Sequence, residues 1–315
     1  MITLYKIVAV PKPVQLIKPI INSPTEGSCG GTYFIDDSFV IKISETPSLD
    51  ILSYNLAKLL SIPTPKMDVM TFSQFKCIHN YDFMVDKISD QQQISTQTKI
   101  TAPSLTQIIS NSETSRYESQ LKNWHQLGRI LGFDLILDNE DRFKFNLEPF
   151  CGSSNFGNIL IDHSVIAIDL TPTKANKPED YYIDKIYKLC KMFKSIKLEL
   201  IHGTMELKQP DEVAEAHQLN QTILSFIDSL PASVSEEEIE IAVNIIKQSI
   251  YNILETFIDT FEDLPANSSN HYQYLTQLHT ELSKTKQTNQ IPNRSKSPAS
   301  VTFFSGLYSE DGSDY

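Results

Sequence analysis

The sequence predicts an α+β protein with two lobes, a small β-rich N-terminal lobe and a larger helical lobe, followed by a disordered C-terminal tail. Three observations support this prediction: β-branched segments interrupted by prolines fill the first 72 residues, helical apolar repeats follow from residue 117, and polar residues dominate after Pro265. With 315 residues and 40% hydrophobic side chains, the chain can bury a substantial core. The predicted boundaries are 1–88 for the N-terminal lobe, 89–265 for the helical lobe and 266–315 for the flexible tail.

The strands of the N-terminal lobe are predicted from β-branched runs bounded by turn-forming residues. Residues 32–44 contain two such runs joined by a short polar turn, which predicts a β-hairpin. Residues 50–60 repeat apolar side chains at helical spacing and are followed by Pro63, so they predict a helix. Residues 83–88 form a further short apolar segment, whereas residues 89–97 are polar and are predicted to be a linker or loop.

The helical lobe is predicted from four segments with apolar residues at helical spacing: about 117–134, from about 180 onward, 211–230 and 235–261. The last segment begins with an S-x-x-E capping box formed by Ser235 and Glu238. Residues 201–315 carry 17 acidic and six basic side chains, so they account for most of the net charge of −12. Because no basic domain with interleaved aromatic residues is present, we expect no nucleic-acid binding.

The composition also indicates a cytoplasmic protein. No window approaches 20 apolar residues, and the first 12 residues lack the basic and apolar regions of a secretory signal, so we expect no transmembrane segment. The four cysteines lie far apart without a C-x-x-C pair, and the seven histidines are equally scattered. Neither a disulfide framework nor a zinc site is therefore expected.

The residues most suggestive of chemistry surround a second predicted hairpin. Residues 159–161 and 165–168 are apolar or β-branched on either side of a D-H-S turn. This hairpin would bring Asn158 and Asp169 to the same end, and an amide oxygen beside a carboxylate suits a hard cation such as Mg²⁺ together with phosphate oxygens. Asp141 lies upstream, where its carboxylate could accept the proton of an attacking hydroxyl group.

A glycine-rich segment, G-S-C-G-G, precedes the first hairpin and suggests a phosphate-binding loop. Gly30 and Gly31 would let backbone amides approach a phosphate without steric interference from a Cβ atom. Lys42 lies on the return strand, and strand alternation places it on the face opposite Ile41 and Ile43. An ammonium group there is costly unless it meets an anion, and a nucleotide phosphate would supply one.

Together these motifs resemble the atypical protein kinases of the actin-fragmin kinase-like group, within the superfamily that protein kinases share with phosphatidylinositol 3- and 4-kinases. The resemblance covers residues 25–175, through a Gly-rich hairpin, a strand lysine, a helix, N-x-D-R, a long gap, N-F-G-N-I-L and I-D. It implies a two-lobed protein-kinase-like fold that binds ATP with Mg²⁺ (or Mn²⁺) and phosphorylates Ser or Thr of a protein substrate. The Ile-, Asn-, Lys- and Ser-rich composition is also similar to that of effector kinases secreted by intracellular bacteria into the host cell cytosol.

The resemblance implies a role for each motif residue. Lys42 and Asp141 would be catalytic, Lys42 by holding the α- and β-phosphates and Asp141 as the catalytic carboxylate. Asn158 and Asp169 would bind the metal. The nucleotide would contact Lys42, the two loop glycines and the hinge segment 83–88, through Gly30, Gly31, Met84, Val85 and Asp86.

Three departures from the usual kinase pattern bear on these assignments. Asp141 and Asn158 are separated by a long insertion, whereas typical kinases place about five residues between them. No D-F-G motif is present, because Asp169 is followed by Leu-Thr. The helix that normally supplies a Glu to pair with the strand lysine offers only Asp50, with Glu45 in the preceding loop as the other candidate.

Five lysines follow one another at an unbroken spacing of three residues from Lys185 to Lys197, and Lys174 and Lys177 lie just upstream of this row. Each step of three turns about 300° around an α-helix, so the row winds slowly round the helix. One interpretation is a solvated amphipathic helix. The other is a site for an inositol polyphosphate, a phosphoinositide headgroup or a phosphorylated partner, whose binding would order the active site. The candidate polyanion-binding residues are Lys174, Lys177, Lys185, Lys188, Lys191 and Lys194.

The residues alone leave other functions open. Lys42 could be an edge-strand lysine, and Asn158 and Asp169 could simply cap turns. Asp141 and Arg142 could form a local salt bridge at the end of a helix. A phosphoinositide or small-molecule kinase would use the same motifs with a different acceptor. A pseudokinase scaffold would keep the fold and bind a partner through its acidic helices and tail. The identity of the protein substrate is not predicted.

Overall fold

The computed structural model describes most of the chain between residues 21 and 288. The described residues are 21–22, 32–36, 38–44, 46–82, 84, 88–139, 141–142, 155–172, 177–202, 210–230 and 232–288. An antiparallel sheet occupies the N-terminal part, and the remainder is mainly helical. The predicted α+β fold with two lobes is confirmed. Among these residues no helix has the length and apolar character needed to cross a membrane.

The N-terminal sheet has five antiparallel strands in the order β1-β2-β3-β5-β4. Their bounds are β1 Ile21–Asn22, β2 Thr32–Ile35, β3 Phe39–Ile43, β4 Met67–Thr71 and β5 Gln93–Thr98. The predicted hairpin at 32–44 is confirmed as β2 and β3, with Thr32 opposite Lys42 and Phe34 opposite Val40.

Strand β5 corrects two sequence predictions. Residues 89–97 were predicted to be a linker because they are polar, yet most of them belong to a strand that pairs with both β3 and β4. Ile94, Ser95 and Thr96 are buried there, and Ile and Thr favour strands regardless of polarity. The sheet therefore continues past the predicted boundary at residue 88.

Two helices flank the sheet and contribute to different cores. Helix α2 (Phe72–His79) starts with a capping box and packs Phe72 and Phe75 against Ile35 and Ile41 on the face opposite Lys42. Helix α1 (Pro47–Leu59), predicted as 50–60, instead joins the large core of the helical lobe through its leucines. Helix α1 therefore packs into the helical lobe and also contacts strands β4 and β5 of the sheet.

The helical lobe contains the predicted segments with shifted ends. Its elements are α3 Leu105–Ser110, α4 Glu118–Leu121, α5 Trp124–Leu137, β6 Ile159–Ile161, β7 Val165–Ala167, α6 Glu179–His202, α7 Pro210–Ser229, α8 Glu236–Thr260 and α9 Asn270–Thr288. The helix predicted at 117–134 is interrupted at Asn123, whose side chain caps α5. The predicted capping box of Ser235 and Glu238 is confirmed at the start of α8.

Helices α5 and α8 form the centre of this lobe and pack closely. A Cβ atom added to Gly128 would lie 2.8 Å from the Ser249 Cβ, and one added to Gly132 would lie 3.1 Å from the Ile253 Cβ. The two glycines thus allow a close helix contact that larger residues would prevent.

Helix α9 corrects the prediction of a flexible tail from residue 266. Tyr274, Leu275, Leu278 and Leu282 recur at helical spacing and are buried in the core of the helical lobe. The polar residues between them lowered the mean hydropathy of the segment and concealed the apolar stripe. The predicted tail is wrong for 270–288, and residues 289–315 lie outside the described part.

Candidate active site

The predicted hairpin of β6 and β7 is confirmed and sets the position of Asn158 and Asp169. Ile159 lies opposite Ala167, and the amide of Ile168 donates to the Asn158 carbonyl oxygen at 3.1 Å. Asp169 is the next residue along the chain. The two predicted metal ligands therefore start from adjacent points at the open end of one hairpin.

Asp141 and Asn158 come into direct contact despite the insertion between them. The Asn158 side-chain amide donates to Asp141 Oδ2 at 2.7 Å, and Asn155 donates to the same oxygen at 3.1 Å. The Asp141 backbone amide donates to Asn139 Oδ1 at 3.2 Å. The loop after α5 and the start of β6 thus hold the Asp141 carboxylate in one orientation.

Lys42 meets Asp169 across the two lobes. The distance from Lys42 Nζ to Asp169 Oδ1 is 3.0 Å, with the side chains 30% and 41% exposed. An ion pair between side chains this exposed contributes at most about 1 kcal/mol to stability. Its importance is that it brings the Lys42 ammonium and the Asp169 carboxylate together. The strand lysine and a predicted metal ligand share one place between the sheet and the hairpin.

Asp50 is not the partner of Lys42. Its carboxylate is buried and accepts hydrogen bonds from the hydroxyl groups of Ser44 and Thr171. The alternative partner considered for the lysine, Glu45, lies outside the described residues.

The buried Arg142 ties the components of the site together, a function that the sequence analysis did not assign. It is fully buried, and its guanidinium donates to the carbonyl oxygens of Asn158 at 3.3 Å, Ile168 at 2.8 Å and Asp169 at 3.4 Å. It also forms an ion pair with Asp134 of α5. Burial raises the pKa of Asp134 to about 6, and the guanidinium opposes this rise.

A signal for this contact was present in the sequence. Asp134 is a charged residue within an otherwise apolar stretch of α5, and such a residue needs an internal partner. The sequence did not reveal that the partner is Arg142.

Asp138 anchors the start of the loop that carries Asp141. It ends α5 in the left-handed conformation, with φ 60°, and its carboxylate binds the ammonium groups of Lys177, at 3.0 Å, and Lys185. The Tyr181 hydroxyl donates to it at 2.9 Å. Burial raises the pKa of Asp138, but Lys185 and Lys177 outweigh this effect and hold the pKa below its usual value.

The lysine row of α6 is therefore divided between the interior and the surface. Lys185 is buried against Asp138, whereas Lys188 pairs with Asp184 at 2.9 Å on the exposed side. Lys191 Nζ lies 4.8 Å from the ring centroid of Tyr187, and Lys194 is half-buried. Polyanion binding by this row stays a prediction.

The predicted hinge does not connect the two lobes. Residues 83–88 precede β5, so the chain returns to the sheet after them, and Met84 is 90% exposed. The chain leaves the sheet only after β5, through residues 99–103, whose Pro103 carbonyl accepts a bond from the Ile161 amide at 3.0 Å. The connection between the lobes therefore follows β5, whereas contact of residues 83–88 with a nucleotide stays a prediction.

Several predicted residues lie outside the described part of the chain. They are Gly30, Gly31, Val85, Asp86 and Lys174. Their roles stay predictions from the sequence.

The sheet face that carries Lys42 also presents a small apolar surface. Val40 lies two residues before Lys42 on the same face, and Phe34 is opposite Val40 on β2. The Lys99 ammonium lies 5.8 Å from the centroid of the Phe34 ring. The strand alternation around Lys42 could have identified Val40, whereas Phe34 required the register.

The oxygen-bearing side chains here suit a hard cation. Asn158 uses its amide nitrogen to bind Asp141, so its amide oxygen is the atom left for a cation, and Asp169 supplies a carboxylate. Mg²⁺ is commonly held by one or two carboxylates together with substrate phosphates. Among the described residues no group of three or more His, Cys, Asp or Glu could hold a metal without such help.

Comparison with known proteins identifies the family. The family model named actin-fragmin kinase, catalytic, matches residues 21–292, which extends well beyond the resemblance at 25–175. No curated protein matches the chain. The match spans both lobes and includes the site formed by Lys42, Asp141, Asn158 and Asp169. The chain therefore belongs to the actin-fragmin kinase catalytic family of atypical protein kinases.

Proposed function

We propose that this protein is an ATP- and Mg²⁺-dependent kinase that transfers the γ-phosphate to a Ser or Thr hydroxyl group of a protein. Kinases in general use ATP and a divalent metal. The observation that carries the proposal is the pairing of Lys42 with Asp169 across the lobes, next to the pairing of Asp141 with Asn158. Phosphoryl transfer is catalysed mainly by positioning and by neutralising charge, which is what these groups supply.

Each side chain has a defined task in this proposal. Lys42 neutralises nucleotide phosphate, and Asp169 and Asn158 hold the metal, which when bound would neutralise charge on the transferred group. Asp141 orients the acceptor hydroxyl and accepts its proton, while the Asn158 amide keeps the carboxylate directed toward the acceptor. The adenine would lie against Phe34 and Val40, beside the linker at 99–103.

The test of this function is phosphoryl transfer from labelled ATP with Mg²⁺ or Mn²⁺. The acceptors are a eukaryotic cytosolic extract, an actin–fragmin mixture, phosphoinositide vesicles and inositol, followed by phosphoamino-acid analysis. Asp141→Asn serves as the blank, and Asp162→Asn, in the exposed turn of the β6–β7 hairpin, serves as the matched control. We expect phosphoserine or phosphothreonine with wild type and Asp162→Asn, and at least about 100-fold less with Asp141→Asn.

Other outcomes would contradict the proposal in specific ways. Transfer only to lipid or inositol would assign a phosphoinositide or small-molecule kinase. No transfer, together with no Mg²⁺-dependent thermal stabilisation by ATP in either wild type or Asp169→Ala, would favour a pseudokinase scaffold.

We also propose that a polyanion regulates the kinase through the surface part of α6. Lys188, Lys191 and Lys194 follow one another there, and electrostatic attraction to phosphate groups motivates the idea. Calorimetric titration of inositol hexakisphosphate and phosphoinositide headgroups into wild type and Lys188→Glu/Lys191→Glu tests it. Equal heats for the two proteins would refute this regulation.

A further inference from the structure

Asp50 connects two segments that carry the main charged groups of the candidate site. Asp50 is only 8% exposed, and each of its carboxylate oxygens accepts a hydrogen bond from a hydroxyl group. Ser44, directly after β3, donates to Oδ2 at 2.5 Å, and Thr171, after the β6–β7 hairpin, donates to Oδ1 at 2.5 Å. Hydrogen bonds from hydroxyl groups to a carboxylate are short and strong because the acceptor is charged. Asp50 thus joins the end of the Lys42 strand to the segment that follows Asp169.

The backbone at Asp169 needs support from its neighbours. Its φ angle is 54°, in the left-handed region, which Asp enters more readily than most non-glycine residues but still at a conformational cost that contacts can offset. Asn139 donates to the Asp169 carbonyl at 3.3 Å, and Arg142 donates to the carbonyl of the preceding residue at 2.8 Å. Both contacts come from the helical lobe. Two residues later, the Thr171 hydroxyl donates to Asp50, which lies in α1.

Helix α1 provides a rigid base for Asp50. Leu49 and Leu52, on either side of Asp50, are buried in the core of the helical lobe. The side-chain amide of Asn267 also donates to the Ser48 carbonyl at 2.8 Å, which attaches the start of α1 to the segment before α9. A carboxylate held in this way restrains the position of its hydrogen-bond donors.

We propose that Asp50 is a positioning residue, which sets the place of Asp169 relative to Lys42 through the Thr171 hydroxyl. Asp50 therefore acts on the metal-ligand side of the site and not by pairing with the lysine. This inference rests on the proposed function, because its consequence is the correct presentation of Asp169 to a metal–nucleotide complex. Removing such a support for a metal ligand commonly changes metal affinity or activity by about 10- to 100-fold.

The first test uses three variants, Asp50→Asn, Thr171→Val and Thr171→Ser. Thr171→Val keeps the shape of the side chain and removes the hydroxyl, whereas Thr171→Ser keeps the hydroxyl and is the matched control. We expect the Mg²⁺ concentration for half-maximal phosphoryl transfer to rise by about 10-fold or more in Asp50→Asn and Thr171→Val, and to stay near wild type in Thr171→Ser. An equal rise in the Ser and Val variants would overturn the proposal.

The second test measures the contact without catalysis. A double-mutant cycle of Asp50→Asn and Thr171→Val uses two measurements. The first is the free energy of urea unfolding of the protein without ligand, and the second is the affinity for a non-hydrolysable ATP analogue together with Mg²⁺. Because Thr171→Val removes this hydrogen bond and Asp50→Asn removes the negative charge that strengthens it, their effects should be non-additive in both measurements. Additive effects in either measurement would refute the inference. If wild type transfers no phosphate, the proposed kinase activity fails, and the analogue affinity still decides whether Asp50 positions Asp169.

Discussion

Replacing Arg142 with methionine tests whether a buried guanidinium holds the candidate site together. The change leaves the Asp134 carboxylate buried without its cationic partner. Breaking a buried ion pair in this way costs about 3 to 5 kcal/mol of unfolding free energy. Small domains have a total stability of about 5 to 15 kcal/mol, so the variant should be markedly less stable. Arg142 also donates to three backbone carbonyls, and their loss adds to the effect.

The assay is urea unfolding followed by the fluorescence of Trp124, the single tryptophan, which is buried at the start of α5. Arg129→Met is the matched control, because Arg129 donates to two backbone carbonyls, at 2.7 and 3.1 Å, and not to a buried carboxylate. We expect a loss of about 1 to 2 kcal/mol in the control. Similar losses in the two variants would refute the assigned role of Arg142.

The pH dependence supplies a further check on the same variant. Burial already raises the pKa of Asp134 to about 6, and removing Arg142 should raise it further. A carboxyl group with a raised pKa in the folded state adds stability at low pH that disappears as the pH rises through this pKa. The Arg142→Met variant should therefore become more stable as the pH falls from about 7 to about 5. Adding Asp134→Leu to this variant should remove the pH dependence, because the carboxyl group is then absent. A variant whose stability is unchanged by acidification contradicts the argument.

Three further predictions concern the helical lobe. Burial lowers the pKa of His271 from 6.5 to about 4, so the stability contributed by the neutral imidazole is present above pH 6.5 and is lost as the pH falls toward 4. His271→Phe should therefore make thermal unfolding less sensitive to acid, and an unchanged pH profile would disprove this. In urea unfolding, Gly128→Ala should lower the free energy of unfolding by about 1 kcal/mol or more and Gly132→Ala by less, because the added methyl group is more crowded at Gly128. The reverse order would contradict this packing. Lys247→Met should lose about 3 to 5 kcal/mol of unfolding free energy because it leaves Glu199 buried without its partner. Adding Glu199→Leu should recover most of this loss in the same assay, and no recovery would count against the buried pair.

Local patterns were sufficient for the two hairpins and for the start of α8. The period of two around Lys42 and the D-H-S turn before Asp169 depend on neighbouring residues only, so the sequence carries them directly. The capping box at Ser235 is local in the same way. These elements were correctly predicted because a few adjacent residues decide them.

The errors came from segments whose mean polarity masked a buried face. β5 alternates polar residues with only one strongly apolar side chain, Ile94, yet it lies between two other strands of the sheet. Helix α9 buries Leu275, Leu278 and Leu282 within an otherwise polar segment. Burial depends on what packs against a segment, and composition alone does not report it. The predicted connection between the lobes at residues 83–88 follows from the first of these errors.

The sequence by itself determined the family, the order of the motifs and the candidates for a catalytic carboxylate, two metal ligands and a phosphate-binding lysine. Only the tertiary structure decided which groups meet: Lys42 with Asp169, Asp50 with Thr171, and Arg142 with Asp134. Hydrophobic periodicity is a property of neighbouring residues, whereas the partner of a charged side chain depends on how distant segments pack and exclude water. The side chains that hold this site in place therefore became visible only in the folded chain.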